Sequence, residues 1–147
     1  IEKWANLALY FADDAFVVTN PEISSVRDSD RMLGILSSKS RRAERNEEPI
    51  KEYLLLTRYD SDRVRSGEML SLDDVQEILS LDLLGIIPES KSVLSASNAG
   101  VPVILDEKSE AGQAYTDVVA RYLGEKRPHR FIDGKQGFLR RLFGGRK

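Results

Sequence analysis

Cysteine is absent from the 147 residues, which excludes disulfides and thiolate chemistry within them and fits a reducing compartment. Histidine occurs once, at His129, too few for a histidine-based metal site. No apolar run reaches the ~20 residues a spanning helix needs. Also missing are G-x-x-x-x-G-K-[ST], G-x-S-x-G, H-E-x-x-H and any Cys/His cluster. The first absence removes the loop that cradles a triphosphate; the others remove familiar serine-nucleophile and zinc frameworks. Neither an internal repeat nor a low-complexity tract is present. No signal-peptide pattern opens the chain. It begins at Ile1 already in helical pattern, which reads as a cut inside a larger protein.

What is present is an ordinary globular composition, long enough for one domain with a core, and an uneven charge. The formal net charge is −2. The last thirteen residues, Lys135 to Lys147, hold five Lys/Arg and no acid. Removing those five from the 22 Lys/Arg leaves 17 against 24 acids over residues 1–134, a net −7. An acidic body lacks the broad basic face of a general nucleic-acid binder. It suits a body that stays in solution while its basic end finds an anionic surface.

That end is patterned. Wound as a helix with Phe138 at 0°, Leu142 falls near ~40°, Leu139 near ~100° and Phe143 near ~140°. Arg140 and Arg141 fall near ~200° and ~300°, on the other side. A helix with rings and leucines on one face and cations on the other suits a membrane interface. A C-terminal helix docked on its own domain would show the same pattern.

Upstream, Trp4, Leu7, Ala8 and Phe11 have the spacing of an apolar helix stripe. Ala15–Thr19 is a short β-branched run that reads as a strand buried on both faces. Asn20-Pro21-Glu22 supplies an N-cap, a first-turn proline and an acid, predicting a helix to about Arg45 with Ile23, Val26, Leu33 and Leu36 inward. Within it, the polar run Ser24–Asp30 reads either as a solvated face or as a site at the carboxyl edge of a sheet. Tyr53–Tyr59 is a second strand and Asp60–Arg63 a turn. Ser71-Leu-Asp-Asp74 resembles a capping box opening a helix with Val75, Ile78 and Leu79 inward. Leu83–Ile87 is a third strand, stopped by Pro88. Ser90 or Ser92 caps a short helix ended by Gly100. Val101–Leu105 connects to a long helix capped by Ser109, with Ala111, Ala114, Tyr115, Val118, Val119, Tyr122 and Leu123 in helical period. Glu125–Gly134 is charged, contains Pro128 and reads as a linker in which His129 is solvated.

Strands alternating with helices predict an α/β fold: a partial parallel sheet with helices on both faces, plus the C-terminal amphipathic helix. Three strands are few for such a sheet, which points to missing strands on the N-terminal side. The paired acids Asp13/Asp14, Glu47/Glu48 and Asp73/Asp74 sit where turns and caps want carboxylates and read as structural.

Several of these segments together resemble one family. Thr19-Asn-Pro-Glu-Ile-Ser-Ser-Val-Arg-Asp-Ser-Asp-Arg31, Lys39-Ser-Arg-Arg42, Glu52-Tyr-Leu-Leu-Leu-Thr-Arg-Tyr59, Gly85-Ile-Ile-Pro-Glu89 and Gly137-Phe-Leu-Arg-Arg-Leu-Phe-Gly-Gly145 are similar to the septum-site-determining ATPases of the ParA/MinD P-loop group. The resemblance covers essentially the whole chain, and the tail separates this branch from its DNA-partitioning relatives. Arg146-Lys147 extend past the usual Gly-Gly ending.

The resemblance implies a C-terminal half of a P-loop ATPase domain over 1–124, a linker over 125–134 and a membrane-targeting helix over 135–147. It implies ATP and Mg in the complete protein, an ATP-dependent homodimer, and attachment to anionic phospholipid on the cytoplasmic face of the bacterial inner membrane. It also implies recruitment of the division inhibitor MinC and release by MinE-stimulated hydrolysis, with no nucleic-acid partner. In the family a D-S-P-A-G-I-E segment precedes the first helix, and this chain opens on its last two residues, Ile1-Glu2. The P-loop, signature lysine, switch regions and Walker B aspartate are therefore expected upstream, leaving no catalytic residue here and no ATP hydrolysis by this chain alone. By the same resemblance, Thr57, Arg58, Ile87, Pro88 and Glu89 form the adenine edge. Glu2, Ser24, Asp28 and Asp30 belong to the dimer and partner interface, and Phe138, Leu139, Arg140, Arg141, Leu142 and Phe143 to the membrane contact. A ParA-type DNA-partitioning ATPase would want a basic body instead. A non-enzymatic membrane adaptor is what these residues would be if made alone.

Overall fold

Three apolar segments pair side by side into one parallel sheet: β1 (Asp14–Thr19), β2 (Lys51–Tyr59) and β3 (Asp82–Pro88), in the order β1-β2-β3. A computed structural model of the chain describes residues 3–132, with side chains from Asn6 onward. Parallel strands need crossovers, and the chain supplies helices for them. Between β1 and β2 lie α2 (Ile23–Lys39) and α3 (Arg41–Glu44), and between β2 and β3 lie α4 (Ser61–Ser66) and α5 (Leu72–Leu79); α1 (Lys3–Tyr10) precedes β1, and α6 (Lys91–Ala99), a 3-10 turn at Val103–Leu105 and α7 (Glu110–Tyr122) follow β3.

The period-2 alternation of side chains along each strand divides the core in two. On one face Val17, Leu54, Leu56 and Ile86 pack with Val26 of α2 and with Val75 and Leu79 of α5. On the other, Leu55, Leu84 and Ile87 pack with Ala111, Ala114 and Val118 of α7. The β2–β3 register shifts between Leu54 and Leu55, beside Gly85. A β-carbon at Gly85 would overlap the Val118 side chain, so the missing side chain is what lets α7 lie down on β3.

Capping chemistry set several boundaries as expected. Ser71 and Asp74 form a complete capping box, each accepting from the other's backbone N–H. Ser90 and Ser109 cap α6 and α7, and Gly100 closes α6 in the left-handed region at φ +67°.

Other expectations are corrected. Strand β1 is well covered on one face only: Phe16 is 45% and Val18 58% exposed, although the Phe16 ring meets those of Tyr53 and of Tyr122 on α7. Asn20 does not cap α2. Its carbonyl accepts from Glu22 N–H at 2.8 Å, so the chain turns once more and the helix begins at Ile23, which is left exposed. The helix also stops at Lys39 rather than near Arg45. Ser40 is extended, and its hydroxyl accepts from Ala43 N–H to start α3. Asp60–Arg63 is no bare turn: the Asp60 carboxylate accepts from Asp62 and Arg63 N–H and opens α4. Ile78 is 37% exposed, as are Val119, Tyr122 and Leu123 to a greater degree. The inward face of α7 is centred instead on Ala111, Ala114, Val118 and a buried Asp117.

Candidate functional site

The C-terminal ends of parallel strands are where open α/β sheets present loops and free backbone to ligands. Here those ends bring together Thr19 at the end of β1 and Asn20 after it, Thr57 and Arg58 in β2, and Pro88 at the end of β3 with Glu89 after it. The register pairs Thr19 with Leu56 and Tyr59 with Pro88, with a second irregularity between Leu56 and Tyr59. Within it Arg58 adopts φ +54°, a left-handed conformation uncommon for a side-chain-bearing residue. Neighbours hold it there. Thr57 Oγ1 donates to the Thr19 carbonyl at 3.3 Å, and Glu89 N–H donates to the Tyr59 carbonyl at 2.9 Å.

Arg58 projects into solvent, and its Nε donates to Glu89 Oε2 at 2.9 Å. The Glu89 carboxylate raises the guanidinium pKa above its ordinary value, through the hydrogen bond first and its charge second. A hydrogen bond through Nε lies in the guanidinium plane and leaves both flat faces free for an aromatic ring. Ile87 is placed differently from its neighbours. Its side chain is buried in the core against α7, so only its backbone can serve the edge.

The structure therefore brings Thr57, Arg58, Pro88 and Glu89 together. It does not bring Ser24, Asp28 and Asp30 to one spot. All three are exposed on α2, but Asp30 lies about 160° round the helix from Asp28. Asp28 accepts from Arg31 at 3.2 Å and, with Ser25, Ser29, Met32 and Leu36, lines a groove of about 670 Å³ along the edge of β1 that has no strand partner among the described residues. Glu2 and the membrane set Phe138, Leu139, Arg140, Arg141, Leu142 and Phe143 lie outside the described residues. Among the described residues no group of His, Cys, Asp and Glu is arranged to hold a metal ion, and no helix is long and apolar enough to cross a membrane.

A cluster on the far face was not anticipated. Asp117 is 4% exposed, and its carboxylate accepts from Arg130 Nε at 2.8 Å, with Arg127 3.7 Å away. Arg121 donates three bonds, to the carbonyls of Leu84 (2.9 Å), Arg127 (3.0 Å) and Pro128 (2.7 Å). Burial lowers the Arg121 pKa, with Asp117 opposing. These bonds draw residues 125–132 onto α7, so the predicted linker is docked there. His129 is half-buried rather than solvated, and its Nδ1 is enclosed without a hydrogen-bond partner. The available signal was an acid flanking the apolar stripe of a helix, followed by Arg121, Arg127 and Arg130.

A scan of protein-family models finds no match to the chain. The septum site-determining protein MinD of Escherichia coli K12 is 66% identical over 146 residues, which is 99% of this chain and 54% of that protein. Among solved structures, the MinC:MinD cell division protein complex of Aquifex aeolicus aligns with a TM-score of 0.78 at 37% identity, covering 90% of this chain and 51% of that one. MinD of Pyrococcus horikoshii complexed with Mg-ADP aligns with a TM-score of 0.58 at 25% identity, covering 76% and 43%. The chain thus spans about half the length of the relatives it matches.

Proposed function

Since the chain belongs to the MinD group of ParA/MinD ATPases, over about half of their length, we propose that it is the C-terminal half of a MinD-type cell-division ATPase that cycles on and off a membrane. ATP with Mg dimerises the complete protein. The dimer attaches to anionic phospholipid on the cytoplasmic face of the inner membrane and recruits MinC, and MinE-stimulated hydrolysis releases it. The similarity to a protein solved with MinC and to one solved with Mg-ADP supports the partner and the nucleotide.

The observation that carries the nucleotide assignment is the carboxyl edge itself: a left-handed Arg58, braced by Glu89, offering an open guanidinium face beside the end of β3 at Pro88. Those residues fit a purine base. They do not fit a triphosphate, for which this chain has no glycine-rich cradle and no lysine loop. When bound, ATP supplies the phosphate charge that draws two copies together and the bond whose hydrolysis lets them part. The work of these residues is narrower. Arg58 stacks on the base, Glu89 fixes the guanidinium plane, and the Ile87–Pro88 backbone reads the base edge.

Residues 135–147 act as the anchor. Their four large apolar side chains offer at most ~6–12 kcal/mol on full burial, before ordering costs are deducted. A helix this short is marginal in water, so one copy binds weakly. Two copies on an ATP-dependent dimer gain roughly 10²–10⁴ in avidity. The groove along β1 is where the upstream half adds its strands.

The test is sedimentation of the complete protein with vesicles of anionic phospholipid. ATP should promote binding over ADP, and Leu142→Glu should reduce it at least tenfold. Sedimentation undiminished by Leu142→Glu would show that the tail docks on its own domain instead.

A further inference from the structure

The segment between α7 and the tail is a strap with a direction. Gln113, Asp117 and Arg121 stand four residues apart on one face of α7. Arg121 holds the carbonyls of Arg127 and Pro128, and Asp117 holds Arg127 and Arg130. Gln113 accepts from Arg130 through its side chain at 3.0 Å and through its backbone carbonyl at 3.4 Å. Phe131 then packs against both apolar clusters of the domain. The later the strap residue, the earlier its partner on α7, so residues 125–131 run back along the helix.

The direction of α7 relative to the sheet is fixed by its own contacts. Arg121 donates to the Leu84 carbonyl, and Val118 faces Gly85. Lower numbers on α7 meet higher numbers on β3, so the helix is antiparallel to the strand. Its N-terminal end points to the carboxyl edge where Arg58 and Glu89 stand. Reversing from Gly124 to the level of Gln113 moves the chain about 16 Å along α7 toward that edge, at about 1.5 Å per residue.

We propose that residues 125–132 are a fixed strap that sets where the tail leaves the body, on the side of the carboxyl edge, and thereby ties the orientation of the body to the membrane. This rests on the membrane role given above to residues 135–147. A free ten-residue linker would let the body tumble at its anchor. A strap stitched by Asp117, Arg121 and Arg130 leaves little chain between the body and the anchor to flex. Asp117 is a positioning residue here. It is buried, and the ion pairs it makes are with the strap.

The test uses the complete protein, with upstream cysteines replaced by serine and nitroxides on Lys108→Cys and Ile132→Cys. Electron–electron distance measurement should give one narrow distribution. Asp117→Asn should broaden it at least twofold, as should the milder Arg130→Gln should the first variant fold poorly, and Arg130→Lys should restore much of the narrowness. A dye on Lys108→Cys alone, read as anisotropy with the protein bound to anionic vesicles, should be lower in Asp117→Asn than in the parent. A broad parental distribution, or one unchanged by both variants, would overturn the strap. A broadened distribution with unchanged vesicle-bound anisotropy would overturn its coupling to the membrane. Parent protein that does not sediment with vesicles would remove the membrane role, and the coupling with it, whatever the distances show.

Discussion

Two glycines inside helices should respond to the same substitution with opposite sign. Gly34 lies in α2 with nothing within 4 Å of where a β-carbon would stand. Replacing it by alanine removes backbone freedom from the unfolded chain and should stabilise by ~1 kcal/mol. Gly112 lies in the first turn of α7. A β-carbon there would overlap the Asp106 carbonyl oxygen and lie 2.8 Å from that of Val103. Neither group can rotate aside as a side chain would. The Asp106 oxygen is held by Ser109 N–H at 3.1 Å and by the Ser109 hydroxyl at 3.0 Å, and that hydroxyl caps Gly112 N–H at 3.0 Å. Making room therefore disturbs the cap as well as the packing. Overpacking costs up to ~3 kcal/mol and loss of a cap ~1 kcal/mol, against ~1 kcal/mol gained in helix propensity. The net loss is ~2–3 kcal/mol, or roughly 4–12 °C in Tm, set against a rise of roughly 2–4 °C for Gly34→Ala. Thermal unfolding of the two variants of the complete protein by circular dichroism measures both. A Gly112→Ala variant at least as stable as the parent would refute the close approach of α7 to the 102–106 turn.

Arg58→Ala in the complete protein should weaken ATP binding several-fold while leaving vesicle affinity at saturating ATP nearly unchanged; calorimetry and sedimentation separate the two, and the reverse pattern would remove Arg58 from the base edge. His129 gives a pH dependence. Burial lowers its pKa, Arg121 adds to the effect and Asp117 opposes it, with Arg130 and Phe131 lining the same cavity. The docked strap thus favours neutral His129, and a released strap takes up the proton more readily. Docking is intact above the free histidine pKa and weakens as pH falls through about 6.5 toward the depressed value. Tryptic cleavage after Arg130 should accelerate from pH 7.5 to pH 5.5 when normalised to an exposed control site, and His129→Gln should flatten the change; equal acceleration in both would show that another group is responsible.

Much of the fold was legible locally. The apolar runs around Val17, Leu55 and Ile86 announced strands, and Ser71, Ser90, Ser109 and Gly100 marked helix ends, because caps and left-handed closures are satisfied within a few residues of chain. The edge residues Thr57, Arg58, Pro88 and Glu89 were found through resemblance, and the sheet brings them together. What escaped were features that need two distant segments. An exposed Phe16 or Val18 cannot be told from a buried one until the neighbouring layer is known. A charged stretch such as 125–132 looks like a linker until Asp117 and Arg121, several residues back and one helix face round, are seen to hold it.

By itself the sequence determined the α/β class, the capped helix ends, an acidic body carrying a basic end, and kinship with MinD, since each depends on residue type and short-range spacing. Only the tertiary structure decided which side of β1 is the more exposed, that Ile87 serves the core, and that the presumed linker is a strap. Each of those depends on burial and on partners far apart in the chain. Removal from water turns Asp117 from one more acid into the point that holds the way to the tail.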